Sequence, residues 1–148
     1  DKCACRICGK PLRADSRQNH VGEHLLQHML GVPHSQMTVS IAPLFPCGFC
    51  GGPSCSISID HGRARSNCPL AYPFVVKTAA NSSTSKPSTN VPIACPYTHC
   101  EQTHWKYNFH QHLDNHHPNW RSTLPPAAPL FSLISVSEDE QSKLRVPE

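Results

Sequence analysis

Long hydrophobic runs are missing from this chain of 148 residues. No apolar stretch approaches the roughly 18–20 residues that cross a bilayer, so no membrane-spanning segment is expected. Apolar residues of every kind make up only 38%, and fifteen prolines interrupt each extended periodic segment. One large hydrophobic core is therefore not expected. Charge is also sparse, at 16% of residues, and the net charge of +3 is small. Dense phosphate-binding stripes go with a pI above about 9, whereas the pI here is about 8.4. What basic surplus exists is N-terminal, because residues 1–94 carry nine Lys/Arg against four Asp/Glu.

Cysteine and histidine are abundant by contrast, at nine and eleven residues. One spacing occurs twice, 92 residues apart: Cys3-x4-Cys8-x11-His20-x3-His24 and Cys95-x4-Cys100-x11-His112-x3-His116. Two thiolates followed by two imidazoles one helical turn apart suit a tetrahedral zinc ion. Such short segments bury too little apolar surface to fold unaided. Ordering costs about 1.5 kcal/mol per residue, and structural zinc contributes roughly 10–16 kcal/mol of apparent binding energy at neutral pH. The metal then decides whether each module folds. The odd cysteine count, the histidine spacing and the lack of an apolar leader at the start of the sequence favour zinc in a reducing compartment over disulfides.

Residues 1–34 read as a thiol-bearing turn followed by a helix. Cys5-x2-Cys8 ahead of Gly9 forms the tighter knuckle, although Cys3-x4-Cys8 also fits. His20, His24 and His28 fall on one helical stripe. The eleven-residue gap after Cys8 selects His20 and His24, and leaves His28 near the helix C-terminus. The middle cluster, within residues 44–76, contains Cys47, Cys50, Cys55 and Cys68, which together make a four-cysteine site, with His61 as the alternative to Cys55. The alternating run of residues 55–59 reads as a strand, Tyr72 to Val76 as its partner, and Arg63 and Arg65 as the loop between. Residues 77–93 are rich in Ser, Thr and Pro and read as a flexible linker between independent units.

In the distal module, residues 94–120, Cys95, Cys100 and His112 are fixed by spacing. Either His116 or His117 completes the set, and His117, just before Pro118, is preferred. Trp105, Phe109 and Leu113 recur every four residues as the apolar face of one helix. Residues 121–148 read as a mostly disordered tail with a short helix near 138–145, started by the capping box Ser137…Glu140. Its apolar approach, residues 130–136, is a candidate docking segment.

These Cys/His patterns resemble C2H2 zinc fingers. If that family's geometry carries over, Arg13, Ser16 and Asn19 occupy base-reading positions, and Asp15 would brace Arg13 against guanine. The family's core leucine is replaced here by Arg17. The order WKYN…H-x4-H-P, with the earlier CGFC and the TNVP stretch before Cys95, resembles uncharacterised fungal zinc-finger proteins over roughly residues 3–118. That resemblance implies a nuclear setting or a mobile-element origin.

Pro46-Cys47-x2-Cys50 also matches half of the nucleobase-deaminase signature. The H-x-E half is lacking, because His20-Val-Gly-Glu23 has one residue too many. Every ligand set is filled by protein, which leaves no open position for water and argues against an enzyme. The fold class expected is a set of small metal-stabilised α+β modules with much irregular structure, holding three zinc ions. The function expected is nucleic-acid binding, DNA favoured, through Arg13, Ser16, Asn19, Arg63 and Arg65. The alternative is a protein-interaction module that presents Trp105, Tyr107, Trp120 or the tail.

Overall fold

The computed structural model describes residues 2–31, 39–81, 87–97, 99–123 and 129–145. The end of the first expected module (32–34), the middle of the expected linker (82–86) and parts of the tail (124–128 and 146–148) lie outside the described residues. Among the described residues the architecture is small α+β, with short helices and three two-stranded antiparallel sheets.

Strand β1 (Lys2–Ala4) pairs with β2 (Pro11–Arg13) in the register Cys3↔Leu12. The turn between them is closed by the Gly9 amide donating to the Cys5 carbonyl at 2.8 Å, with Gly9 at φ +81°. Glycine populates that left-handed region without steric cost. A 3-10 turn (Ala14–Ser16) leads into α1 (Arg17–Met29), whose buried face carries Val21, Leu25 and Leu26. Gly31, at φ +72°, donates to the His28 carbonyl and ends the helix in a left-handed cap.

In the middle region β3 (Ile57–Asp60) pairs with β4 (Arg63–Ser66) in the register Asp60↔Arg63. The sequence reading put Arg63 and Arg65 in a loop and gave β3 the partner Tyr72 to Val76; the structure corrects both points. His61 and Gly62 have φ +51° and +78°, the pair of positive values that a tight two-residue hairpin requires. A short loop closes the nearer pairing at less entropic cost. Residues 74–76 join the far side of β4 instead. The Ala64 amide donates to Phe74 O at 2.9 Å, the Val76 amide to Gly62 O at 3.0 Å, and Arg63 bridges Val75. Helix α2 (Val76–Ala79) follows.

The distal region has the element order of the first. Strand β5 (Pro92–Ala94) pairs with β6 (Thr103–Trp105), a 3-10 turn covers Lys106–Asn108, and α3 spans Phe109–His116. Helices α4 (Trp120–Thr123), α5 (Pro129–Ile134) and α6 (Glu138–Arg145) complete the chain.

The apolar residues gather into three clusters, but the clusters do not respect the boundaries of three independent modules. Tyr107 leaves the distal region to pack with Ile7, Leu25 and Leu26, and Trp105 packs with Cys47, Phe49 and Cys68. Phe109 and Leu113 keep the distal core, together with Trp120, Leu130 and Ile134. Trp105 therefore does not share a helix face with Phe109 and Leu113, as the four-residue periodicity suggested. It ends β6, and its ring lies 5.1 Å from Phe49. Trp105, Tyr107 and Trp120 are each only 3% exposed, so they hold the chain together and are not available to face a partner.

The described end of the expected linker, residues 88–91, is corrected in the same way. Ser88, Thr89, Asn90 and Val91 are buried. The Gln18 side chain donates to Asn90 O at 2.6 Å, the Ser88 amide to Asn19 Oδ1 at 2.9 Å, and the Tyr107 amide to Asn90 Oδ1 at 2.9 Å. A segment poor in large apolar side chains is ordered here by hydrogen bonds to both neighbours. The tail's apolar approach also turns inward, with Leu130 and Ile134 in the distal core.

Glycines in the middle knuckle make this close approach possible. A Cβ on Gly48 would lie 2.6 Å from the Trp105 ring, and one on Gly51 would lie 2.8 Å from Ile7. Gly48→Ala is expected to lower stability by about 1–3 kcal/mol by overpacking a rigid ring, measurable as a reduced thermal midpoint of the metal-loaded chain. An unchanged midpoint would mean that the indole is not seated on Gly48.

Candidate metal centres

Among the described residues, three groups of four candidate ligands assemble. In each, one ligand atom per residue lies within 4.8 Å of the other three. The first group is Cys5, Cys8, His20 and His24, the second Cys47, Cys50, Cys55 and Cys68, and the third Cys95, Cys100, His112 and His117. Metal–sulfur and metal–nitrogen distances of about 2.3 and 2.05 Å at tetrahedral angles imply edges of about 3.6 Å for S···N, 3.8 Å for S···S and 3.3 Å for N···N. The separations fit that figure. Cys8 Sγ lies 3.4 Å from His20 Nε2, and His20 Nε2 lies 3.1 Å from His24 Nε2. Cys95 Sγ to His117 Nε2 is 3.5 Å, Cys100 Sγ to His112 Nε2 is 3.6 Å, and Cys50 Sγ to Cys55 Sγ is 3.8 Å.

Each centre is built from a turn and the element it leads to. In the first, the Gly9 turn sets Cys5 and Cys8, while α1 presents His20 and His24 one turn apart. His28 is exposed. In the third, His117 sits at the C-cap of α3 with φ −135° and ψ 63°. Leaving helical geometry there turns His117 toward the thiols, where Tyr97 stacks on its ring at 4.1 Å, while His116 stays exposed. His112 is completely buried. Desolvation, reinforced by the imidazoles of His104, His117 and His116, pushes its pKa down to about 4, and the neutral ring so favoured is the ligating form.

The middle centre takes Cys47 and Cys50 from a knuckle and Cys55 and Cys68 from the two ends of the β3–β4 hairpin. The Phe49 amide donates to Cys47 Sγ at 3.3 Å and the Gly52 amide to Cys50 Sγ at 3.4 Å. The Cys50 thiol is lowered to about 5, first by the hydrogen bond from Cys47 and then by the Gly52 amide, while burial opposes the shift. Cys47 moves up as Cys50 moves down. His61, the alternative ligand, is turned away; its side chain is 94% exposed and Nδ1 meets Asp60 Oδ1 at 2.7 Å.

The residues expected to read nucleic acid separate. Arg13 is exposed just before the 3-10 turn, with Nε and Nη2 each 3.3 Å from the two Asp15 carboxylate oxygens. Ser16 is half-buried at the N-cap of α1. Asn19 is 8% exposed, and its carbonyl oxygen accepts from the Ser88 amide. It cannot reach a base, because that oxygen and the surface around it are used to hold the interior segment. Arg17, in the place of the family's core leucine, is 3% exposed and donates to Leu70 O at 2.7 Å. Arg63 and Arg65 are exposed on β4, Arg65 3.4 Å from Asp60.

Spacing alone gives no sign of the buried network formed by Glu140, Lys106 and Thr89. Glu140 is 2% exposed, and its carboxylate accepts from the Thr89 amide at 3.0 Å, the Thr89 hydroxyl at 2.7 Å and the Tyr107 hydroxyl. Lys106 donates to the same Thr89 hydroxyl oxygen at 2.7 Å. Only half of the capping box forms: the Glu140 amide donates to Ser137 Oγ at 3.1 Å, while its side chain turns inward.

Among the described residues, no helix is long and apolar enough to cross a membrane. Comparison of the chain with protein-family models, curated proteins and solved structures gives no match.

Proposed function

We propose that the chain is a structural-zinc protein of the nucleus that binds nucleic acid, DNA favoured, with three zinc ions holding one folded unit. The thiolate and imidazole donor sets and their tetrahedral edges support zinc. Four protein ligands at each centre leave no position for a zinc-bound water, which supports a structural rather than a hydrolytic role.

The observation that carries nucleic-acid binding is the Arg13–Asp15 pair. Its guanidinium is fixed by a carboxylate, its side chain is 72% exposed, and it stands at the entrance of the helix that supplies two ligands. A braced guanidinium is preorganised for the bidentate acceptor edge of guanine or for a phosphate. Ser16 lies beside it, and Arg63 and Arg65 add exposed cations on β4. The alternative, a protein-interaction module, loses its aromatic contacts to the interior.

Salt separates the two readings. Affinity for DNA, duplex or single-stranded, should fall steeply with ionic strength. Arg13→Ala with Arg63→Ala should reduce the log–log slope by about 2 while the zinc content stays unchanged. Absence of binding to either form at low salt would end this reading.

A further inference from the structure

Beside the braced arginine lies a cavity of about 510 Å³, between the entrance of α1 and residues 72–81. That volume falls in the range of small-molecule sites, roughly 300–1,000 Å³. Phe49 and Phe74 both line the cavity and stand edge-on to each other at 6.0 Å. Tyr72 and Val75, 42% and 41% exposed, line it together with Asp15 and Gln18. Large apolar side chains left open to this degree around a concave site mark a place where something docks.

The polar groups in the lining suit a heterocycle. Gln18 donates one amide hydrogen to Asn90 O at 2.6 Å and brings a carbonyl acceptor, and Thr78 and Asn81 bring a hydroxyl and an amide. Flat aromatic walls accept any planar ring by stacking, and a few fixed donors and acceptors orient its edge. Cations stand next to lining residues on the chain rather than in the lining itself. Asp15, the acidic side chain among the lining residues, is already paired with Arg13. Arg63 bridges Val75, and directly opposed residues of an antiparallel pair project to the same face. Lys77, exposed on α2, adds a further charge.

An aromatic cavity with exposed cations paired to two of its lining residues, Arg13 to Asp15 and Arg63 to Val75, suits a phosphate backbone that delivers one base at a time. A base inside a duplex cannot present its face to such a wall. We propose that this cavity receives an unstacked nucleobase of single-stranded nucleic acid, with Arg13 and Arg63 holding the flanking phosphates. The proposal rests on the nucleic-acid reading of this surface and narrows it from duplex to single strand.

The test uses the full, zinc-loaded chain with single strands of about 12 nucleotides, as deoxy-T and as U, a duplex of equal length, and a single strand carrying one 2-aminopurine. Anisotropy should show either single strand bound more tightly than the duplex, and the 2-aminopurine emission should change on binding as the base leaves its stack. The deoxy-T and U strands together tell whether the sugar matters. Tyr72→Ala should weaken single-strand binding about tenfold with little effect on the duplex. Ala79→Trp, which fills the cavity from a half-buried lining position, should do the same, with far-UV circular dichroism and zinc content verifying the fold. Salt-dependent binding that needs Arg13 and Arg63 but ignores both cavity variants would overturn the pocket and leave nucleic-acid binding standing. Absence of binding to single strand and duplex alike would remove both.

Discussion

Chelation of the metal-loaded chain is expected to release three zinc ions and unfold the protein in a single transition. Three independent fingers would release theirs in three steps, each governed by its own ligands. Here the ligand-bearing segments are packed into one another. Ile7, between the ligands of the first centre, packs against Gly51 of the middle knuckle, and Arg6 donates to Cys50 O at 3.3 Å. Asn108, just before α3, donates to Pro46 O at 2.8 Å beside the middle ligands, and Trp105 rests on Gly48. Losing the middle ion therefore loosens the walls of the other two centres. If each ion contributes roughly 10–16 kcal/mol of apparent binding energy, no subset should retain the full fold. Native mass spectrometry, chromophoric zinc release and far-UV circular dichroism measure the three quantities. Cys50→Ser should cost more than the one ion it ligates; a variant that still holds two ions at undiminished affinity would show the centres to be separate.

The second large effect is expected at Glu140. Its carboxylate ties α6 to the buried 88–91 segment and to the Tyr107 hydroxyl. Burial first, and then the Glu140 charge, raise the Tyr107 pKa well above the ordinary phenol value, so the hydroxyl stays protonated and donates throughout the physiological range. Burial lowers the Lys106 pKa and the nearby Glu140 opposes that shift. Glu140→Ala removes the acceptor and leaves the Thr89 amide, the Thr89 hydroxyl and the Tyr107 hydroxyl without it. Breaking such a buried charged network costs about 3–5 kcal/mol, which for a chain of this size lowers the thermal midpoint by about 10 °C. Glu140→Gln, which keeps an acceptor oxygen, should recover part of that loss. Equal midpoints for wild type and Glu140→Ala would place α6 outside the folded unit.

The ligand spacings were legible because a tetrahedral centre imposes local rules. Cys-x2-Cys with a following glycine fits only a tight turn, and two histidines one helical turn apart must share a face. The eleven residues from Cys8 to His20 and from Cys100 to His112 allow one strand and one helical turn between them. Partial ambiguities, Cys55 against His61 and His116 against His117, turned on single dihedral choices that spacing does not encode. The hairpin placed His61 at its exposed tip, and the break at the end of α3 turned His117 toward the thiols.

Long-range partners lay beyond any periodicity. Trp105 and Phe109 are four residues apart, yet a strand end separates them and they enter different clusters. Ser88 to Val91 look like tether by composition, because hydrogen bonds to Asn19, Gln18 and Tyr107 leave no mark in a local hydrophobicity pattern. Glu140 reads as a capping residue because its sequence neighbours are acidic and exposed, and only α6 docking turns it inward. The sequence by itself determined the candidate donor atoms and the small α+β elements that carry them, since those follow from local spacing over short spans. Only the tertiary structure decided that those elements form one interlocked unit. It also set Arg13 and the aromatic cavity on one face, because burial and charge proximity are properties of segments distant in the chain.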